Sequence, residues 1–217
     1  MKFLVFSRRL IEQVKPYERP HIIISVRTPG DPEEAKLPVG PFTLVSLRLS
    51  FQEEYEDWPE ERHQYHARMG NAFTVETGRY LLDFVRRYAA DTEAVLVHCD
   101  AGLARSPAIA HALSQTIFRG QEHEFLGLMA TVHCDNQDIY EHLTEKDMTH
   151  GGRLPTCFKY ILEAFELSRD QLRAELDVYS DLLGAVMRHL PEVDGEDEVG
   201  TTVAKAIVRV STHSCEK

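Results

Sequence analysis

Two hydrophobic patterns alternate along the first half of the chain. Residues 2 to 6 and 21 to 26 (His-Ile-Ile-Ile-Ser-Val) are short, apolar and rich in β-branched or aromatic side chains, the pattern of buried strands. Residues 42 to 49 alternate in places and predict a third strand, and Ala94 to His98 reads as a fully buried one. The helical pattern takes over from Thr74 to Ala90, where Leu81, Leu82, Phe84, Val85 and Tyr88 fall at helical spacing behind Thr74 as N-cap. It returns from Ser106 to about Phe118, closed by Gly120, and in 122 to 132 and 136 to 143. Four prolines and two glycines make residues 28 to 41 a loop. Ser50 to Asn71 is polar and acidic around Trp58-Pro59, and predicts a long irregular excursion of the kind that is often functional. Strands alternating with helices predict an α/β fold with a mainly parallel central sheet flanked by helices.

From Thr156 to Leu190 the pattern turns almost wholly helical. Phe165, Leu172, Leu176, Tyr179, Leu183, Val186 and Leu190 are spaced close to a heptad seam. The expected organisation is a domain over 1–150, a helical extension over 151–190, and an acidic linker and tail over 191–217. The extension either packs on its own domain or mediates self-association as a homodimer. Val-His-Cys-Asp occurs at 97–100 and again at 132–135, too short to be a repeat.

Charge narrows the partners. A formal net charge of −11 repels a phosphate backbone, so nucleic acid is not expected, although a local basic pocket can still hold one phosphate. The four cysteines are widely spaced with no CxxC pair, which argues against a disulfide framework or a cysteine-based zinc site. The apolar stretch Phe3 to Phe6 is too brief for a secretory signal and no run reaches membrane-spanning length, so a cytoplasmic protein without membrane attachment is expected. His63 and His66 lie three apart, and the other histidines are scattered without HExxH or paired carboxylates, so neither metal nor organic cofactor is expected.

Residues 97 to 106 read Val-His-Cys-Asp-Ala-Gly-Leu-Ala-Arg-Ser. A cysteine leaves a buried strand, and an arginine stands at the mouth of the next helix. The backbone between Cys99 and Arg105 can curl so that successive N–H groups face one phosphate. The helix adds unpaired N–H donors and its positive end. Gly102 supplies the permissive backbone, and Asp100, Ala101, Leu103 and Ala104 complete the substrate-binding loop. Arg105 offers a planar fork that matches two phosphate oxygens, which lysine cannot reproduce. These donors favour a negative sulfur, and thiolate attack on phosphorus gives a phosphocysteine intermediate. Ser106 can donate to Cys99 as sulfur leaves, and His98 is placed to orient the loop from beneath. At the echo, Cys134 has Tyr140 where an arginine is needed and no intervening glycine, so it reads as structural.

This loop resembles that of cysteine-based tyrosine and dual-specificity phosphatases. The chain is more closely similar to compact, mainly prokaryotic tyrosine-phosphatase-like proteins. The likeness rests on Leu49-Ser50-Phe51, then Leu82-Asp83-Phe84-Val85, then residues 97 to 106, with Asn136 and Tyr140 following, and it covers about residues 20 to 144. The resemblance implies a tyrosine/dual-specificity phosphatase-like sheet and an aspartic acid just after Leu-x-Phe that protonates the leaving oxygen. Here those positions hold Gln52, Glu53 and Glu54, and the first aspartate is Asp57. Asp57 is the first candidate for the acid and Glu53 the second; Glu60, after Trp58-Pro59, is another.

None of the variable loop residues Asp100, Ala101, Leu103 and Ala104 is basic, so a monophosphate ester is the expected substrate, phosphotyrosine first and phosphoserine/threonine second. Two other functions compete: a weak or inactive phosphate-binding pseudophosphatase, favoured by the irregular acid loop, and a rhodanese-like sulfurtransferase. The second accounts poorly for Arg105, Ser106 and His98 together.

Overall fold

The computed structural model describes residues 1–128, 140–144, 147 and 153–189. The chain divides into two units, Met1–Gln171 and Leu172–Lys217. The first contains a six-stranded sheet in the order β3-β2-β4-β1-β5-β6, with β1 Lys2–Ser7, β2 His21–Arg27, β3 Thr43–Ser50, β4 Ala94–Cys99, β5 Glu124–Leu128 and β6 Tyr140–His142. All pairs are parallel except β5 with β6. The expected α/β fold with a mainly parallel sheet is therefore present.

Strand β4 lies between β1 and β2 and is buried along its whole length, as its unbroken apolar run requires. One sheet face carries Phe3, Val5, Ile22, Ile24, Val95 and Val97, among others. That face packs against α3 (Val75–Arg86), α4 (Arg105–Gln115) and the start of α5 (Thr156–His189). Thr74 caps α3 by accepting the Thr77 N–H at 3.2 Å. Gly78 lets α3 approach α5 closely, since a Cβ there would lie 2.8 Å from the Tyr160 carbonyl oxygen. The opposite face carries Leu4, Phe6, Ile23 and Leu96 and is covered by the short α1 (Arg8–Ile11) with Val14, Ala35 and Leu37. The helices that flank the sheet are thus concentrated on one face.

Three expectations need correction. The helix predicted over 122 to 132 is strand β5 at Glu124–Leu128, which pairs with β1; the stacking of Phe125 on Phe3, centroids 5.2 Å apart, joins the two strands. The helix predicted over 136 to 143 ends as strand β6, antiparallel to β5; residues 129–139, with Cys134 and Asn136, lie outside the described residues. Within the supposedly irregular excursion, Glu60–Arg68 forms α2. No residue of α2 is buried, so it has no apolar stripe for the sequence to reveal; Glu60 and Glu61 at its start and His66 and Arg68 at its end suit the helix dipole instead.

Residues Cys157, Ile161 and Ala164 of α5, spaced on one helical face, are buried in the first unit. In the second unit the helix continues from Leu172 to His189, and Leu172 and Leu176 are exposed. Among the described residues no helix is long and apolar enough to cross a membrane.

Candidate active site

Cys99 ends β4 opposite Ser7, the last residue of β1. The chain turns sharply and enters α4 at Arg105. Two contacts fix that turn. Gly102 has φ +76°, and a Cβ there would lie 2.5 Å from the Ser7 nitrogen. A side chain is excluded both by conformation and by the backbone of β1. Beside it, the Arg8 N–H donates to the Asp100 carbonyl at 3.2 Å. The loop rests on the junction of β1 and α1.

Inside this turn the Gly102 N–H donates to Cys99 Sγ at 3.2 Å, and the Ser106 hydroxyl lies 3.2 Å from the same sulfur. Cys99 and Ser106 are buried at the amino-terminal end of α4, so amide, hydroxyl and helix end converge on the sulfur. Ala104 is buried, whereas Ala101 and Leu103 face solvent at the rim.

Arg105 is 4% exposed and held on several sides. Its Nη1 donates to the Phe51 carbonyl at 2.9 Å, and its Nη2 donates to Thr28 Oγ1 at 3.1 Å and Asp100 Oδ2 at 2.6 Å. Nε has no hydrogen-bond partner and lies 4.0 Å from Glu53 Oε2. Asp100 is therefore bound inward and does not simply charge the rim. Burial alone would raise its proton affinity, but the bonds from Thr28 and Arg105 outweigh burial and hold its carboxyl below the usual range.

His98 faces the neighbouring strand, with Nε2 2.8 Å from Ser25 Oγ across the β2–β4 pair. Burial pushes its imidazole down to about 4, against weaker opposing effects from the Cys99 backbone and Asp100. A neutral His98 beneath the loop suits orientation, not proton transfer. Cys157 is different again: burial pushes its thiol up to about 12, despite the Arg105 charge.

The three acid candidates are separated. Glu53 is the one beside Arg105, and its Oε1 accepts the Tyr55 hydroxyl at 2.8 Å. Burial, then this bond, makes the Tyr55 phenol a weaker acid than free tyrosine, so it stays a donor. Asp57 is exposed and takes two bonds of 2.6 Å from Arg153 Nη2. Glu60 begins α2 and accepts from Gln64 at 3.2 Å.

Thr28, Ser25, Tyr55 and the Phe51 carbonyl were missed by sequence reasoning. Ser25 was detectable as the lone hydroxyl in an apolar strand. Thr28 gave no signal within its loop, and a backbone carbonyl has no side-chain signature. Among the described residues no group of three or more histidines, cysteines or carboxylates is placed to hold a metal ion.

In comparisons with known proteins, no family model, no curated protein and no solved structure matches the chain.

Proposed function

We propose that this protein is a cysteine-dependent phosphomonoester hydrolase, acting on phosphotyrosine and as a second possibility on phosphoserine/threonine. The observation that carries the reading is the convergence of the Gly102 amide and the Ser106 hydroxyl on Cys99 Sγ, with Arg105 returning to the same loop. An oxyanion above the sulfur would meet the Gly102 amide, the α4 end and Arg105, whose Nε has no bond to give up. On this reading the sheet is of the tyrosine/dual-specificity phosphatase type.

The mechanism follows from these positions. Cys99 thiolate attacks phosphorus, forming S–P as the ester P–O bond breaks. Protonated Glu53 delivers its proton to the leaving oxygen; its place beside Arg105 favours it over Asp57, which is engaged by Arg153. Water then attacks the phosphocysteine and gives its proton to Glu53. The S–P bond breaks, inorganic phosphate leaves, and the Ser106 hydroxyl stabilises the departing sulfur. Nothing in this sequence needs a metal or organic cofactor, and a reducing compartment such as the cytoplasm would keep Cys99 free. The pseudophosphatase alternative draws on Arg105 Nη2, already engaged by Asp100 and Thr28.

Turnover of p-nitrophenyl phosphate decides between them. The wild type should release p-nitrophenol, and Cys99→Ser should release none while still melting as a folded protein. Phosphate binding without turnover would make the protein a pseudophosphatase, and turnover surviving in Cys99→Ser would remove the mechanism.

A further inference from the structure

Consecutive residues of the acid loop face different surroundings. Glu53 stands beside Arg105, whereas Glu54 lines a groove of about 640 Å³ bounded by the loop, α2, the start of α3 and the start of α5. The loop is fastened at this position, since the Thr156 N–H donates to the Glu54 carbonyl at 2.8 Å. The groove is strongly anionic: Glu54, Glu56, Glu60 and Glu76 line it, and Lys159 is paired with Glu56 at 2.6 Å. Trp58 also lines the groove, with the Arg62 guanidinium already stacked on its ring, 3.2 Å from the centroid.

Acidic residues at helix starts need no ligand to explain them, and Glu60 and Glu76 occupy such positions. Glu54 has no such explanation. It is 3% exposed, its Oε1 has no hydrogen-bond partner, and its Oε2 lies 3.8 Å from His63 Nδ1. A buried carboxylate with an unpaired oxygen is unfavourable unless a positive charge offsets it, and its field acts through a poorly screening interior. Burial raises the Glu54 proton affinity, against the opposing effect of the two histidines and Arg62, and a cation nearby would restore the ionised form.

We infer that this groove binds a lysine or arginine side chain of the phosphorylated polypeptide, so that the protein selects phosphotyrosine sites with a basic residue nearby. The inference rests on the phosphatase reading of Cys99 and gives that reading a substrate class. A cation fits the four carboxylates that line the groove. The acid loop is common to the groove and the site, so one peptide could contact Arg105 with its phosphate and the groove with its basic side chain.

The test compares two sets of phosphotyrosine peptides, identical except for arginine or glutamate at the flanking positions, alongside p-nitrophenyl phosphate. The full chain should show kcat/KM about 10-fold higher for the arginine set at low salt, with the difference shrinking as salt rises. The exposed substitution Glu76→Lys and the isosteric Glu54→Gln should each reduce that preference while leaving the protein folded and p-nitrophenyl phosphate turnover unchanged. Equal rates for the two sets, faster turnover of the glutamate set, or a preference undiminished in both variants would overturn the inference while the phosphatase reading stands. A wild type that turns over neither peptides nor p-nitrophenyl phosphate would remove both.

Discussion

The two segments that frame the site are held in contrasting ways. The loop from Cys99 to Arg105 is fixed by backbone: Gly102 lies against β1, the Arg8 N–H holds Asp100, and the ends are a central strand and a helix. The segment from Glu53 to Asp57 is tied by backbone only at its middle, where the Thr156 N–H holds the Glu54 carbonyl and Tyr55 bridges to Pro155, while its other carboxylates are held by side chains: Arg153 on Asp57, Lys159 on Glu56, Tyr55 on Glu53. Exposed ion pairs contribute ~0–1 kcal/mol each, whereas a packed backbone turn has no comparable low-cost alternative. The contrast suits the proposed chemistry. A nucleophile needs a fixed cradle, and an acid must approach and withdraw as the leaving group changes.

This contrast can be sharpened by substitution. Glu53→Gln should lower turnover of an alkyl-type phosphomonoester by ~10²–10⁴-fold, the usual contribution of a positioned acid. Loss below about tenfold would return the role to another carboxylate. Gly102→Ala should reduce p-nitrophenyl phosphate turnover by ~10²-fold or more, because avoiding the Ser7 nitrogen requires the loop to move on the scale of an ångström. Near-normal kinetics would show that the cradle tolerates displacement.

A thermodynamic effect comes next. His98 binds a proton less readily folded than unfolded, its value falling from 6.5 to about 4. Between these values the unfolded state holds more protons, so stability falls as pH drops below ~6.5 and the loss levels off below about 4. The full effect is roughly 3 kcal/mol, and His98→Gln should flatten this part of a pH-dependent urea titration. An unchanged slope would place the acid sensitivity elsewhere. Asp57→Asn should be the mildest change, about twofold or less in kcat, since it disturbs one exposed pair. A drop larger than that of Glu53→Gln would reverse the two acids.

Legibility in the sequence followed the same division. The thiol loop was readable because its parts are local: an apolar run, a cysteine, a glycine and an arginine at a helix start. Strand β4 was evident from burial alone. Strand β5 was not, because Glu124–Leu128 becomes extended only through the edge that β1 offers it, a partner more than a hundred residues away. Helix α2 was invisible to periodicity because it buries nothing. The acid was harder still. Glu53 and Asp57 sit in the same acidic stretch, and only the folded positions of Arg105 and Arg153 distinguish them.

Parallel pairing sets a timetable for the loop that holds Cys99. Lys2 of β1 pairs with Ala94 of β4, 92 positions later (94 − 2). At synthesis rates of ~5–20 residues per second, β1 leaves the ribosome roughly 5–20 s before its neighbour exists. The seat for Gly102 is therefore translated early and completed late, and such long-range closure favours slow folding. Until it closes, Cys99 belongs to an ordinary unstructured stretch of nascent polypeptide.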